Sequence, residues 1–146
     1  MITGIDTEAP VIVRRATTID APIGHVWARH TDINAWPAWQ PEITAARVDD
    51  PLRPGTVFRW TTAGLEIAST VYAVERPRRI LWGGDAHGIT GIHLWTFDER
   101  DGVVHVHTEE SWDGGPVRTD VEAMRIALDG SLASWLDHLR KASEGG

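Results

Sequence analysis

Short runs of apolar, β-branched and aromatic residues recur along most of the chain, each bounded by glycine, proline or aspartate. Seven of them have the character of β-strands: VIVRRATTID, EITAARVDD, GTVFRWTTA, LEIASTVYAVE, RRILWGGD, GIHLWTFDE and VVHVHTEESW. Between the first two, PIGHVWARHTDI places Ile23, Val26 and Trp27 on one side of a short predicted helix. The pattern therefore predicts a sheet whose first connection is helical.

A second kind of periodicity closes the chain, with apolar residues at intervals of three and four. It predicts one long helix from about Arg118 to Lys141, with a stripe made of Met124, Leu128, Leu132, Trp135 and Leu139. Small residues line or border this stripe: Ala127, Gly130, Ser131 and Ser134. They would allow either a close approach of the sheet or room for a ligand.

The order of elements predicts an α+β fold with one domain. Residues 1–10 show no periodicity and are expected to form a flexible arm, residues 11–142 the domain, and residues 143–146 a tail. An antiparallel sheet with one apolar face needs a cover, and the long helix is the only element able to supply it. A strongly curved sheet wrapped around one helix would enclose a cavity.

Charge and composition exclude several classes of function. The 14 Lys+Arg and 21 Asp+Glu residues give a formal charge of −7, so nucleic-acid binding is not expected. The absence of cysteine excludes disulfides and thiolate chemistry. No apolar run approaches a membrane span and no signal peptide is evident, so we expect a cytoplasmic protein without membrane insertion.

Tryptophan is the unusual component, with eight residues against two phenylalanines and one tyrosine. An indole suits the wall of a cavity for a ring-shaped ligand, and it equally suits the bulk of a core. The composition alone favours neither interpretation.

Several segments together resemble a known family. They are TTIDAPIGHVWARHTDINAWPAWQPEI, GTVFRW, GIHLWTFDERDGVVHVHTEESWDG and the long amphipathic helix. This combination resembles the START-related helix-grip superfamily (SRPBCC), and within it the bacterial polyketide cyclase/dehydrase and lipid-transport group, over about Val11 to Ala142. The resemblance implies a seven-stranded antiparallel sheet gripping the C-terminal helix, two short helices between the first two strands, and a deep, largely apolar cavity. Members include cyclases, lipid and hormone binders and chaperone cofactors, so the fold does not choose a function.

The hairpin DERDG, between the last two strands, sets which residues face inward. Pairing Phe97 with Val104 places alternate residues on the concave face: His93, Trp95, Phe97, Val104, Val106, Thr108, Glu110 and Trp112. His93 and Glu110 then become candidate catalytic groups, because a carboxyl group among indoles has a raised pKa and a nearby imidazole exchanges protons. Such a pair suits enolisation, aldol closure or dehydration of a poly-β-ketone. The alternative is that His93 bonds a backbone carbonyl and Glu110 lies at an exposed strand end.

The convex face of the same hairpin carries His105, His107 and Glu109. Their spacing invites a metal site, but a solvent-facing surface favours ordinary solvated side chains. No metal or other cofactor is predicted. His87, in the glycine-rich WGGDAHG, is expected at the mouth of the cavity.

The stretch NAWPAWQPEI ties two tryptophans to two prolines. Pro37 and Pro41 each remove a backbone donor, which predicts a stiff, irregular loop. In the helix-grip architecture this loop lies against the open end of the cavity. Trp36 and Trp39 are therefore expected to form a lid, with one indole as an anchor.

Two functions remain open at this level: a cyclase, aromatase or dehydrase of a polyketide-like substrate, and a non-catalytic carrier of a lipid or other hydrophobic ligand. Both predict a hydrophobic small-molecule partner and a monomer or homodimer. The predicted ligand-binding residues are Trp36, Trp39, Phe58, Trp60, Trp82, Trp95, Thr108, Trp112, Met124, Leu128 and Ser131.

Overall fold

The computed structural model describes residues 1–145, in which seven strands form one antiparallel sheet in the order β1-β7-β6-β5-β4-β3-β2. The strands are β1 (Val11–Ile19), β2 (Ile43–Arg47), β3 (Val57–Thr62), β4 (Leu65–Glu75), β5 (Arg79–Ala86), β6 (Ile89–Arg100) and β7 (Val103–Asp113). The helices are α1 (Ile23–Thr31), α2 (Trp36–Trp39), α3 (Gly115–Thr119) and α4 (Val121–Glu144), with a 3-10 turn at Ile33–Ala35. The long α4 packs against the concave side of the sheet and runs along β1. The α+β helix-grip prediction is confirmed.

The last helix begins and ends about three residues later than predicted. Asp120 supplies its N-cap, because the carboxylate accepts a hydrogen bond from the backbone N–H of Ala123 (3.1 Å). The preceding residues form the separate short helix α3, which starts with Gly115 and Pro116.

The β6–β7 hairpin has a different register from the predicted one. Phe97 pairs with Val106, whereas Val104 pairs with Glu99. The strands extend to a two-residue turn at Asp101 and Gly102, whose φ angles of 54° and 79° match the left-handed turn that Asp-Gly favours. Because the error is two residues, every side chain keeps its predicted face, and His93 pairs directly with Glu110.

The segment with two tryptophans is helical, so the prediction of an irregular loop is wrong. Pro37 occupies the first turn of α2, where its missing N–H costs no hydrogen bond. The Trp36 side chain is 1 % exposed and its Nε1–H donates to the backbone oxygen of His30 (2.8 Å). Trp39 is half-buried and packs against Trp135.

Aromatic side chains fill the centre of the core between the sheet and α4. Trp36 makes edge-to-face contacts with Phe58 and Trp135, at ring-centroid distances of 5.5 and 5.0 Å. The buried His30 ring lies among them, 4.5 Å from the Trp95 ring. Aliphatic side chains form a second cluster towards the N-terminal half of α4: Val11, Val13, Val117, Leu128 and Leu132.

The N-terminal arm contains no helix or strand but is hydrogen-bonded to the sheet. The backbone N–H of Asp6 donates to the hydroxyl of Ser111 (3.0 Å), and Arg79 donates to the backbone oxygen of Thr3 (2.7 Å).

Candidate ligand-binding cavity

A cavity of about 320 Å³ lies between the curved sheet and α4. It is near the turn that joins β3 to β4 and the turn that joins β5 to β6. Small residues create the space. Gly91 has no side chain to fill the space next to Glu110, where an added Cβ would lie 3.4 Å from Oε2. Ser131 faces the same space from α4. A groove of about 370 Å³ lies on the convex face, but it is more open and is bordered by the exposed Arg14–Glu109 ion pair. The enclosed cavity is therefore the better candidate site.

Four indoles dominate the cavity wall. Trp60 from β3, Trp82 from β5, Trp112 from β7 and Trp135 from α4 all border it. The rings of Trp60 and Trp82 are nearly perpendicular (88°) with centroids 5.8 Å apart, so they form a corner of flat apolar surfaces. The Trp60 Nε1–H is satisfied by the hydroxyl of Ser69 (3.0 Å). Such a wall suits a planar hydrophobic molecule.

His93 and Glu110 lie side by side on this wall, on paired positions of β6 and β7. Nδ1 of His93 is 3.1 Å from Oε1 of Glu110, and the two side chains are 2 % and 15 % exposed. Nε2 of His93 lies 2.7 Å from the Thr108 hydroxyl, and the Trp112 indole N–H donates to the second oxygen of Glu110 (2.7 Å). Nε2 of His93 and Oε2 of Glu110 therefore have hydrogen-bond partners, while Nδ1 and Oε1 face each other at 3.1 Å.

Both members of the pair are uncharged at neutral pH. Burial raises the pKa of Glu110 to about 8, opposed by the hydrogen bond from Trp112. Burial also lowers the pKa of His93 well below 6.5, and the nearby His30 lowers it further. The arrangement thus keeps a protonated carboxyl group beside a neutral imidazole.

The contacts fit one tautomer of His93, with the ring proton on Nε2. The Thr108 hydroxyl donates to the backbone oxygen of Leu94 (3.2 Å), so its oxygen accepts the N–H of His93 Nε2. In this tautomer Nδ1 of His93 carries a lone pair that faces Oε1 of Glu110 at 3.1 Å. The protonated carboxyl group therefore lies beside an unprotonated imidazole nitrogen, next to the cavity.

The predicted site residues divide into two groups. The cavity wall brings together His93, Glu110, Trp60, Trp82, Trp112 and Ser131. The other predicted residues do not line it: Trp36, Trp39, Phe58, Trp95, Thr108, Met124 and Leu128. The aromatic members of this second group form the core behind the wall, Met124 and Leu128 belong to the aliphatic cluster, and Thr108 supports His93 from behind.

Several polar or aromatic wall residues were not among the predicted site residues, and three of them come from the segment before β2 and from α4. Gln40 and Glu42 reach the cavity from the segment between α2 and β2, and Trp135 faces it from α4. Ser134 donates a hydrogen bond to Glu42, which joins this segment to α4. No local pattern signals such a contact, because its two sides are far apart in the sequence.

The remaining histidines singled out in the sequence lie outside the cavity interior. His105 and His107 are on the convex face beside Glu109, which is paired with Arg14 (2.8 Å). His87 lies at the mouth, with Nε2 2.9 Å from the backbone oxygen of Glu66. Within residues 1–145, no three metal-ligating side chains are close enough to hold an ion.

The sequence model of one family, described as "Polyketide cyclase / dehydrase and lipid transport", matches residues 10–144. No curated protein sequence matches the chain significantly. In the part of the chain that the structure describes, no helix has both the length and the apolar character needed to cross a membrane.

Solved structures with the same fold are numerous. The hypothetical protein jhp0584 from Helicobacter pylori is 20 % identical, with a TM-score of 0.82 and 98 % of each chain covered. A START superfamily protein from Mycobacterium smegmatis is 14 % identical, with a TM-score of 0.76 and 92 % and 97 % covered. The di-domain ARO/CYC BexL from the BE-7585A biosynthetic pathway is 18 % identical, with a TM-score of 0.71, and the match covers 94 % of this chain and 52 % of BexL. At these identities the similarity shows the fold alone.

Proposed function

Because the chain belongs to the polyketide cyclase / dehydrase and lipid transport family, we propose that its cavity binds a flat hydrophobic small molecule and that Glu110 transfers a proton to and from it. The observation that carries the proposal is the buried carboxyl group of Glu110, which borders a cavity walled by indoles and lies 3.1 Å from Nδ1 of His93, in surroundings that raise its pKa to about 8. A binding site for an apolar ligand does not need such a group, whereas proton transfer does.

Loss of water from a β-hydroxy ketone illustrates the chemistry that the pair supports. When the carboxyl proton moves to Nδ1 of His93, the Glu110 carboxylate is free to remove a proton from the carbon next to the ligand's carbonyl group. Glu110 then returns that proton to the departing hydroxyl group, which leaves as water while the carbon–carbon double bond forms. The pair ends with the same proton count as it began, so no further reagent is required.

The indole wall would contribute orientation. A flexible chain pressed between Trp60, Trp82 and Trp135 has fewer conformations available, which raises the probability that its reacting atoms meet Glu110. The fold shared with the di-domain ARO/CYC BexL is consistent with an aromatase or cyclase activity, although this chain covers about half of that protein.

A non-catalytic carrier is the second candidate. It is favoured by the closed hydrogen-bond network, in which Thr108 and Trp112 satisfy His93 and Glu110 without any ligand. A carrier would use the same cavity and release its ligand chemically unchanged.

Ser131→Phe is expected to abolish ligand binding, because the new ring would fill the space between α4 and the sheet. Isothermal titration with naphthalen-1-ylmethanol should show an affinity loss of at least about tenfold, equivalent to about 1.4 kcal/mol. The matched control is Ala127→Phe, which adds the same ring to an exposed position of the same helix. Equal binding by wild type and Ser131→Phe would contradict binding in this cavity.

Glu110→Gln is expected to slow the chemical step by about 100-fold or more, since the amide cannot exchange the proton. The ligand would first be captured from an extract of the host and identified by native mass spectrometry, and then incubated in pure form with the protein. Glu109→Gln, on the convex face, is the control and should keep full turnover. Recovery of an unaltered ligand from the wild-type protein would reject catalysis and favour the carrier.

A further inference from the structure

The cavity wall carries two carboxyl groups and, within the described residues, no permanently cationic side chain. Its titratable side chains are Glu42, His87, His93 and Glu110, and no lysine or arginine lines it among residues 1–145. The chain as a whole has 21 acidic against 14 basic residues, so the long-range potential has the same sign as the wall. The electrostatic environment of the site is therefore acidic, without a compensating cation.

The excess of acidic groups determines which ligand charge the cavity would bind more favourably. A carboxylate entering the cavity would lose water without gaining a cationic partner, which is unfavourable in a partly enclosed apolar site. A protonated amine would meet the electron-rich faces of the indoles and two carboxyl groups, Glu110 inside and Glu42 at the rim. Aromatic walls with a nearby acid are a recurrent way to hold organic cations.

We propose that the cavity selects a flat hydrophobic molecule with a protonated amine over the same molecule with a carboxylate. The inference rests on the proposed binding function and adds to it the charge class of the ligand. It requires only the wall as described and no change in the fold.

Glu110 is the group that would respond to such a ligand. Below pH 8 its carboxyl group is protonated, and an ammonium group beside it favours the carboxylate. Binding would then release the carboxyl proton to solvent, while an ammonium N–H donates to the new carboxylate. Apart from Glu110 and the imidazole beside it, the titratable groups that face such a ligand are Glu42 at the rim and His87 at the mouth, whereas α4 presents Ser131 and Trp135 to this part of the cavity.

Three matched probes test the inference by isothermal titration at pH 7: 1-naphthylmethylamine, naphthalen-1-ylmethanol and 1-naphthoate. The amine is expected to bind at least about 30-fold more tightly than the acid, with the alcohol between them. Binding of the acid as tight as that of the amine would overturn the proposal, and so would an alcohol that binds more tightly than the amine.

The contribution of Glu110 is separable with two variants. In Glu110→Gln the ratio of amine affinity to alcohol affinity should fall about tenfold, because only the amine gains a charge-assisted hydrogen bond. Titrations in two buffers of different ionisation enthalpy should show release of most of one proton with the wild-type protein and none with Glu110→Gln. Glu109→Gln should match the wild type throughout. Unchanged amine binding and proton release in Glu110→Gln would refute the assignment to this residue.

Failure of the inference differs from failure of the proposed function. If all three probes bind equally and Ser131→Phe abolishes their binding, the cavity is a ligand site without charge selection. If none of the probes binds, or if Ser131→Phe changes nothing, the binding function itself is contradicted.

Discussion

Glu110→Gln is expected to make the protein more stable at alkaline pH. In the folded protein the Glu110 carboxyl group stays protonated up to about pH 8, whereas in the unfolded chain it ionises near pH 4.5. Between these values the folded state binds one more proton than the unfolded state, so the free energy of unfolding falls as the pH rises. Because glutamine cannot ionise, the free energy of unfolding of the variant does not fall in this way.

Two buried histidines change the pH dependence of stability in the opposite direction. Burial lowers the pKa of His30 to about 3 and that of His93 well below 6.5, so the unfolded state binds more protons as the pH falls below 6.5. Just below pH 6.5 His30 offsets Glu110 and His93 adds a further increase, so stability rises with pH. Above pH 6.5 only Glu110 remains, so the maximum is expected near pH 6.5.

The size of the effect follows from the slope for one proton. For one proton the free energy of unfolding changes by about 1.4 kcal/mol per pH unit, so the wild type loses about 2 kcal/mol of stability between pH 6.5 and 8. Glutamine is a close mimic of the protonated acid, because its N–H donates to His93 Nδ1 and its oxygen accepts from Trp112. The variant should therefore match the wild type below about pH 4.5, where the acid is protonated in both states, and its stability advantage should grow as the pH rises towards 8.

Urea unfolding followed by tryptophan fluorescence from pH 5.5 to 9 measures this difference. Glu109→Gln is the matched control, because the neighbouring carboxylate is on the solvent side of the sheet, paired with Arg14. The same alkaline slope in wild type and Glu110→Gln would show that the buried carboxyl group is not the source.

The orientation of this pair was predictable because alternation along a strand is a local property. The predicted turn pairs His93 with Thr108 instead of Glu110, yet an error of two residues leaves all three side chains on the concave face. The Asp-Gly dipeptide marks the turn, but the sequence alone did not fix how far the strands continue towards it.

The cavity wall was less predictable, because it depends on where the helix lies against the sheet. Leu128 and Ser131 are neighbours on the same face of α4, but Leu128 packs in the aliphatic cluster and Ser131 borders the cavity. Gln40 and Glu42 reach the site only through the docking of their segment onto α4. Periodicity reports a buried face, and it does not distinguish core from cavity.

The tryptophan count is explained by a similar division. Trp60, Trp82, Trp112 and Trp135 border the cavity, while Trp27, Trp36, Trp39 and Trp95 do not. Four of the eight indoles therefore border the cavity and four belong to other parts of the fold.

Trp36→Ala is expected to be the most destabilising single change in the α1–β2 connection. The side chain is 1 % exposed and contacts Phe58, Trp60, Trp82 and Trp135. Truncation of a buried aromatic residue costs about 3–5 kcal/mol, a large part of the stability of a typical small domain. The backbone oxygen of His30 also loses the indole N–H that satisfies it.

Trp39→Ala is the matched control, because it makes the same substitution three residues later in the same short helix. Trp39 is half-buried and packs mainly on Trp135, so a loss of about 1–2 kcal/mol is expected. Trp36→Phe keeps most of the ring contacts and removes the hydrogen bond; it should cost about 1–3 kcal/mol, and it remains measurable if Trp36→Ala does not fold.

Far-UV circular dichroism during urea unfolding reports all three variants without relying on the indoles that are removed. The expected order of destabilisation is Trp36→Ala, then Trp36→Phe and Trp39→Ala, with similar denaturant dependence in each. This order would assign Trp36 to the core, as the anchor that holds the α2 segment and thereby Gln40 and Glu42 at the cavity. Equal losses in Trp36→Ala and Trp39→Ala would contradict it, because the burial of the two indoles would then not determine stability.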